Sequence, residues 1–194
     1  MSPFELYLKL GIDHIADLQG YDHILFIIAL TIVYPVKAWK KLLILITAFT
    51  IGHSLTLLLA TLDLIKIPTD LIEFLIPVTI FLTALLNTLQ KSDKFYSGSH
   101  TIKYVTALFF GLIHGMGFSN YLRSLLSRED NMFIPLFSFN LGIELGQIII
   151  VIIIMGLTLL FVEIFAVKRR DWNLIFSGAA LGISLVLAFE RFPW

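Results

Sequence analysis

No cysteine occurs in the chain. That removes disulfides, thiolate metal sites and a cysteine nucleophile together. Charge is scarce as well: 14% of the residues are charged, against about a quarter in a typical soluble domain. The net charge is +0, so nothing in it draws nucleic acid. The N-terminus, MSPFELYLKLGIDHIADL, lacks the basic start and clean apolar stretch of a cleavable signal, and it carries Glu5, Asp13 and Asp17. The first membrane helix is therefore expected to act as its own insertion signal.

Apolar surface is what the chain has in quantity. Of its 194 residues 58% are hydrophobic, and the mean hydropathy is +0.90. A soluble core of this size could not hide so much, so the natural solvent is a lipid bilayer. A helix needs about 20 apolar residues to cross the hydrocarbon. Six stretches approach that length: residues 20–34, 41–62, 68–89, 102–126, 133–167 and 172–192. The expected fold is all-α, a polytopic helix bundle forming one transmembrane domain over residues 1–194, with 1–19 an amphipathic or interfacial lead-in. The first span is short. The fifth is long, with its first turns expected to be irregular or outside the hydrocarbon. PVKAWKK, KSDKFYSGSH and VKRRDW are the clear polar breaks. No internal repeat stands out, so symmetry gives no support to an inverted-repeat transporter.

Positive charge sets the expected orientation. The first, third and fifth connections hold nine basic residues: Lys37, Lys40, Lys41, Lys91, Lys94, Lys103, Lys168, Arg169 and Arg170. The termini and the other two connections hold five, Lys9, Lys66, Arg123, Arg128 and Arg191. Both termini are thus expected outside, with Trp39 and Trp172 as anchors at the inner interface.

Against this frame the titratable residues are conspicuous. Asp22 and His23 stand together at the start of the first span, in GYDHILFIIAL, with His14 in the segment before it. His53 (FTIGHSLTL), His114 (FGLIHGMGF) and Glu144 (FNLGIELGQ) fall in the outer halves of the second, fourth and fifth spans. Each costs at least a few kcal/mol in hydrocarbon if unpaired. Grouped, they offset one another by hydrogen bonding or by holding a cation. Asn140, Glu144 and Gln147 share one helical face, as do Thr50, His53 and Thr56. Gly111 with Gly115, and Gly142 with Gly146, are small-residue pairs that let helices approach closely.

Histidines with Asp and Glu, and no Cys, suit a divalent transition metal. The candidate metal residues are His14, Asp22, His23, His53, His114 and Glu144, with Asn140 and Gln147 as packing groups or supports for the ligands. The bland reading of a single membrane histidine is a hydrogen bond between helices; the group at common depth is what favours a shared site. His100, in a basic loop, is read as solvated. Asp13 and Asp17 are read as exposed or interfacial, able to help attract cations, and the Phe side chains of ALFFG as lipid-facing or packing surface. Asn87, Gln90 and Glu163 lie near inner span ends and need no site.

Taken in order, GIDHIADLQGYDHILFIIAL, FTIGHSLTL, FGLIHGMGF and FNLGIELGQ resemble the HupE/UreJ family of bacterial membrane proteins, in its shorter branch. The four blocks reach from the first span into the fifth. The family's first-helix signature, a His, a spacer and Asp-His, maps to His14, Asp22 and His23; the spacer here is seven residues, longer than the family's five. The resemblance implies a multi-pass protein of the bacterial inner membrane and a metal, with nickel favoured over zinc. It is associated with hydrogenase and urease gene clusters and nickel uptake, so it also implies metalloenzyme maturation partners; self-association into a homo-oligomer is a further expectation.

Two active functions compete. One is uptake of a divalent metal through the outer site; the inner halves of the spans, with Thr31, Thr47, Thr106, Thr158 and Ser177, show no second charged relay. The other is an intramembrane zinc-dependent hydrolase, acting on a lipid or membrane-anchored substrate from the outer face with Glu144 or Asp22 as base. No HExxH motif supports it. A non-catalytic metal sensor or chaperone, or a purely structural polar cluster, is the third reading.

Overall fold

The computed structural model describes residues 2–89, 100–126 and 132–193, and all their regular structure is helical. Gln90, Lys91, Lys94, Arg128 and most of KSDKFYSGSH lie outside the described residues. The helices are α1 (Pro3–Ile15), α2 (Asp22–Thr31), α3 (Trp39–Thr61), α4 (Thr69–Leu89), α5 (His100–Gly117), α6 (Ser119–Leu126), α7 (Phe133–Thr158) and α8 (Arg169–Glu190).

Four of them, α3, α4, α7 and α8, are long and apolar enough to cross a membrane. A fifth crossing exists if α5 and α6 are one span bent by 54°. The bend follows Gly117. The first expected span is reduced to α2, ten residues long. At 1.5 Å per residue that is about 15 Å, half the hydrocarbon thickness. Pro35, with no N–H to give, follows soon after its end. The irregularity expected at the start of the fifth span lies at its other end, where Leu159–Ile164 is π-helical.

Helix α1 is capped by Ser2 and Glu5, each bonding the other's backbone N–H. It packs along α7 with the two backbones in contact. A Cβ on Gly11 would strike the carbonyl of Phe139, and one on Gly142 the carbonyl of Leu8. The α3–α5 seam is closer still. Gly52 lies on the carbonyl of Leu108, Gly111 on that of Phe49 and Gly115 on that of His53. Three of the expected small-residue positions, Gly111, Gly115 and Gly142, thus face glycines or bare backbone on the neighbouring helix; Gly146 only touches Ile12 and Ile15.

Polar bonds knit one end of the bundle. Asn87 Nδ2 donates to the Ala29 carbonyl at 2.6 Å, and Asn173 Nδ2 to the Asn87 carbonyl at 3.1 Å. These join α2, α4 and α8. Trp172 is buried, not an interfacial anchor: its Nε1 donates to Thr158 Oγ1 at 3.2 Å and its ring stacks on Phe161. Trp39 is 52% exposed, as an anchor should be. His100 lies 2.8 Å from Lys41 Nζ at this same end.

The opposite end is closed by charge. Asp63, in the left-handed region at φ 62°, follows α3. It accepts from Arg123 of α6 at 2.7 Å and pairs with Lys66 at 2.8 Å. The Lys66 hydrogen bond, with the charges of Lys66 and Arg123, holds its carboxyl below the usual carboxylate range. This fixes α6 against α3, with Leu122 and Leu126 buried beneath it.

The α3–α5 seam admits no added atom without backbone movement. Gly111→Ala is expected to destabilise the protein by about 1–3 kcal/mol, the usual penalty for overpacking. Gly178→Ala should be neutral, because nothing lies within 4 Å of a Cβ there. Thermal unfolding of both variants in detergent checks this; equal stability would refute the seam.

Candidate metal centre

The corner between α1 and α2 makes the site. His14 lies in the last turn of α1 and His23 in the first turn of α2. The six residues between the two helices turn the chain so that the two rings meet, with centroids 4.6 Å apart. His53, on α3, completes a triangle, 5.9 Å from each. One ligand nitrogen from each of His14, His23 and His53 lies within 4.8 Å of the others. A tetrahedral ion bound at 2.0–2.1 Å sets its nitrogens about 3.4 Å apart. The rings would need to draw together by about 1.4 Å at most.

The donor set fits a metal on a second count. His14 Nε2, His23 Nε2 and both ring nitrogens of His53 are buried with no hydrogen-bond partner among the described residues. Buried polar atoms are normally paired, because an unpaired one costs about 1–3 kcal/mol. Phe118 covers His14 at 4.0 Å between centroids, and Phe139 stacks on Phe118. Aromatic walls of this kind leave the nitrogens few alternatives to one another.

His114 stands beside the trio, 5.3 Å from His23. Its Nε2 lies 2.9 Å from Thr79 Oγ1. The single proton of that hydroxyl goes to the Ile76 carbonyl at 2.7 Å. His114 Nε2–H must therefore donate to Thr79, which leaves Nδ1 as a bare lone pair, and Nδ1 has no partner among the described residues. Thr79 thus sets the tautomer of His114, as partners behind metal-binding imidazoles do.

A cavity of about 340 Å³ opens onto these residues. His14, His23 and His114 line it, together with Asp17, Asp22, Glu73 and Arg191. Asp22 Oδ2 is held by Arg191 at 2.8 Å, while its Oδ1 is buried and unpartnered among the described residues. Asp17, expected to be exposed or interfacial, is exposed on the rim.

Glu144 is engaged elsewhere. It accepts from Thr47 Oγ1 at 2.7 Å. Asn140 accepts from Ser54 at 2.6 Å and Gln147 from Thr50 at 2.8 Å. The face shared by Asn140, Glu144 and Gln147 is therefore a polar seam between α7 and α3. It starts level with His53 and runs away from the cavity: Thr47 precedes His53 by six residues, about 9 Å along the axis. Thr47 is not the isolated hydroxyl that its sequence context suggested.

Sequence reasoning missed Thr79, Phe118, Glu73 and Arg191. For Thr79 and Phe118 no linear signal exists, since their roles depend on helix contacts. Arg191 did give a signal: a lone cation at the end of an apolar helix, at the same membrane face as the carboxylates.

The chain belongs to the family described as HupE / UreJ protein, which matches residues 1–190. No curated protein and no solved structure matches it. The trio and the apolar helices fit a membrane protein that handles metal.

His53→Ala is expected to abolish stoichiometric binding of Ni²⁺ or Zn²⁺, and His23→Ala to do the same. His100→Ala should bind as wild type. Elemental analysis and calorimetric titration of tag-free protein decide this; full metal content in His53→Ala would remove the trio as a site.

Proposed function

We propose that the protein captures a divalent transition-metal ion at His14, His23 and His53 and carries it into the cell across the bacterial inner membrane. The observation that carries this reading is the trio of histidines whose buried ring nitrogens have no hydrogen-bond partner among the described residues, with His14 and His23 lining an open, acid-rimmed cavity and His53 beside them. Asp17, Asp22 and Glu73 raise the local concentration of cations at its mouth. Imidazole nitrogen suits nickel and zinc alike; family membership favours nickel as the cargo. The basic residues near the starts of α3, α5 and α8 support an orientation with the cavity outside and both termini there. His114, with Nδ1 bare, serves as a further ligand, and Asp22 as the carboxylate that balances the ion's charge.

The α3–α7 seam supports onward movement. Ser54, Asn140, Thr50, Gln147, Thr47 and Glu144 give a run of hydrogen-bonding groups leading from the level of His53 toward the basic end. Glu144 is the carboxylate on that run, and its Oε2 is buried with no partner among the described residues. An ion leaving the trio would reach it at the far end of that run. Maturation proteins of metalloenzymes would receive the ion on the inner side.

One observation favours a second reading. The cavity has room for a substrate group beside the trio. An apolar crevice of about 350 Å³, lined by Ile12, Ala16, Ile24 and Ile28 among others, runs close by and suits an acyl chain. A zinc-dependent hydrolase of lipids would use both, with the metal supplying Lewis acidity and Asp22 the base.

Proteoliposomes enclosing a metal-sensitive dye separate the two. Uptake predicts Ni²⁺-dependent signal with wild type, abolished by His53→Ala and reduced at least tenfold by Glu144→Gln. Absence of flux from protein that keeps one zinc through purification would give the hydrolase reading its place.

A further inference from the structure

Among the described residues, Arg191 is the one Lys or Arg side chain lining the histidine cavity. It sits just past the end of α8, at the C-cap. Asp22 sits in the first turn of α2. The ion pair between them therefore joins two helix ends of opposite dipole. A carboxylate is favoured at the N-terminus of α2, and a guanidinium at the C-terminus of α8, whether or not they touch. Each partner keeps a favourable environment when the pair opens. Neither is deeply buried: the two side chains are 30% and 13% exposed. Glu73 and Asp17 line the same cavity and give the guanidinium other carboxylates to turn to.

The pair also borders the trio, because Asp22 is the residue before His23. A divalent ion at the histidines and a guanidinium on Asp22 compete for one carboxylate and repel one another across a poorly screened space. We propose that Arg191 is a tethered cation that holds Asp22 while the site is free of metal, and that an arriving divalent ion displaces it. This rests on the metal-uptake reading and deepens it. Asp22 then turns to the ion, Arg191 swings to the Glu73 side, and the α2–α8 contact opens. The latch excludes ions of low charge: a monovalent cation gains too little from Asp22 to displace a guanidinium that is bonded to it and tethered.

The test is a double-mutant cycle read by calorimetry, with Ni²⁺ and Zn²⁺ titrated into tag-free, full-length protein in detergent. Arg191→Gln is expected to tighten binding about tenfold, within the range of coupled sites. Arg191→Lys, which keeps the charge, should stay near wild type. Asp22→Asn should weaken binding, and in its background Arg191→Gln should change affinity little, because the arginine acts through that carboxylate. Equal or weaker binding by Arg191→Gln would overturn the latch. So would a tenfold gain that persists without Asp22, since that marks simple charge repulsion. If Arg191→Gln does not fold, Arg191→Met serves in its place, with thermal unfolding as the check. Absence of binding in wild type and every variant would overturn the metal reading and the latch together, whereas binding by wild type lost in His53→Ala confines any failure to the latch.

Discussion

The structure depends on backbone touching backbone between α3 and α5. Hydrocarbon tails compete with apolar side chains for the same contacts, so helices in a bilayer gain little from burying leucine against leucine. Close approach, with dispersion and dipole contacts along the seam, is what remains. Gly52, Gly111 and Gly115 provide it, each lying on a carbonyl of the opposite helix. The consequence for function is direct. Gly115 rests on the carbonyl of His53, so the residue before it, His114, is held at the same level of the bundle. The α1–α7 seam repeats the device: Gly11 against Gly142 brings the last turn of α1, and His14 with it, over α3.

The second constraint is the cost of the polar groups that this packing assembles. Where the bundle meets no site, hydroxyls bond back to their own helices, as Thr31 does to Ile27 and Thr158 to Ile154. Across helices, Asn87, Asn173 and Trp172 find specific partners. The histidine group departs from this rule. Its nitrogens face each other, and a set of lone pairs and N–H groups so arranged satisfies itself poorly without an ion among them. Among the described residues, buried atoms without a hydrogen-bond partner are most concentrated at the histidines, although Thr61, Glu144 and Gln147 each keep one as well; a concentration of this kind marks a functional site.

Much of this was legible in the sequence. The histidines, the glycine pairs and the basic connections can each be read from linear spacing, because helical periodicity and the bilayer's depth restrict where a residue can lie. The four long spans were read to within a few residues for the same reason. What could not be read was anything set by a corner. The seven residues between His14 and Asp22 decide that α1 folds back to lie on α7, and no periodicity encodes that turn. Likewise Glu144 was expected at the depth of the histidines, yet it bonds Thr47, about 9 Å along α3 from His53. Hydropathy located the spans; the level and azimuth at which their side chains meet depended on which helices are neighbours.

The placement of the site at one end of the bundle, and not at its centre, then has a physical logic. A trio at the foot of a cavity is reached by solvated ions without passing through hydrocarbon. Its ligands come from α1, α2 and α3, with α5 alongside, and only α3 among these qualifies by itself as a full crossing. Helices α1 and α2 are short, joined by a corner, and anchored at their near ends by Gly11 and by the Asp22–Arg191 pair. Helix α1 is locked to α7 by its own glycine seam, whereas α2 is short and has no glycine; a short element without such a seam rearranges at lower cost than full spans that have one. The fold thus separates two duties: α3 with α5, and α1 with α7, give fixed walls carrying His53, His114 and His14, and α2 gives the more movable one carrying Asp22 and His23. An ion that draws the three rings together would do so by moving α2 toward those walls.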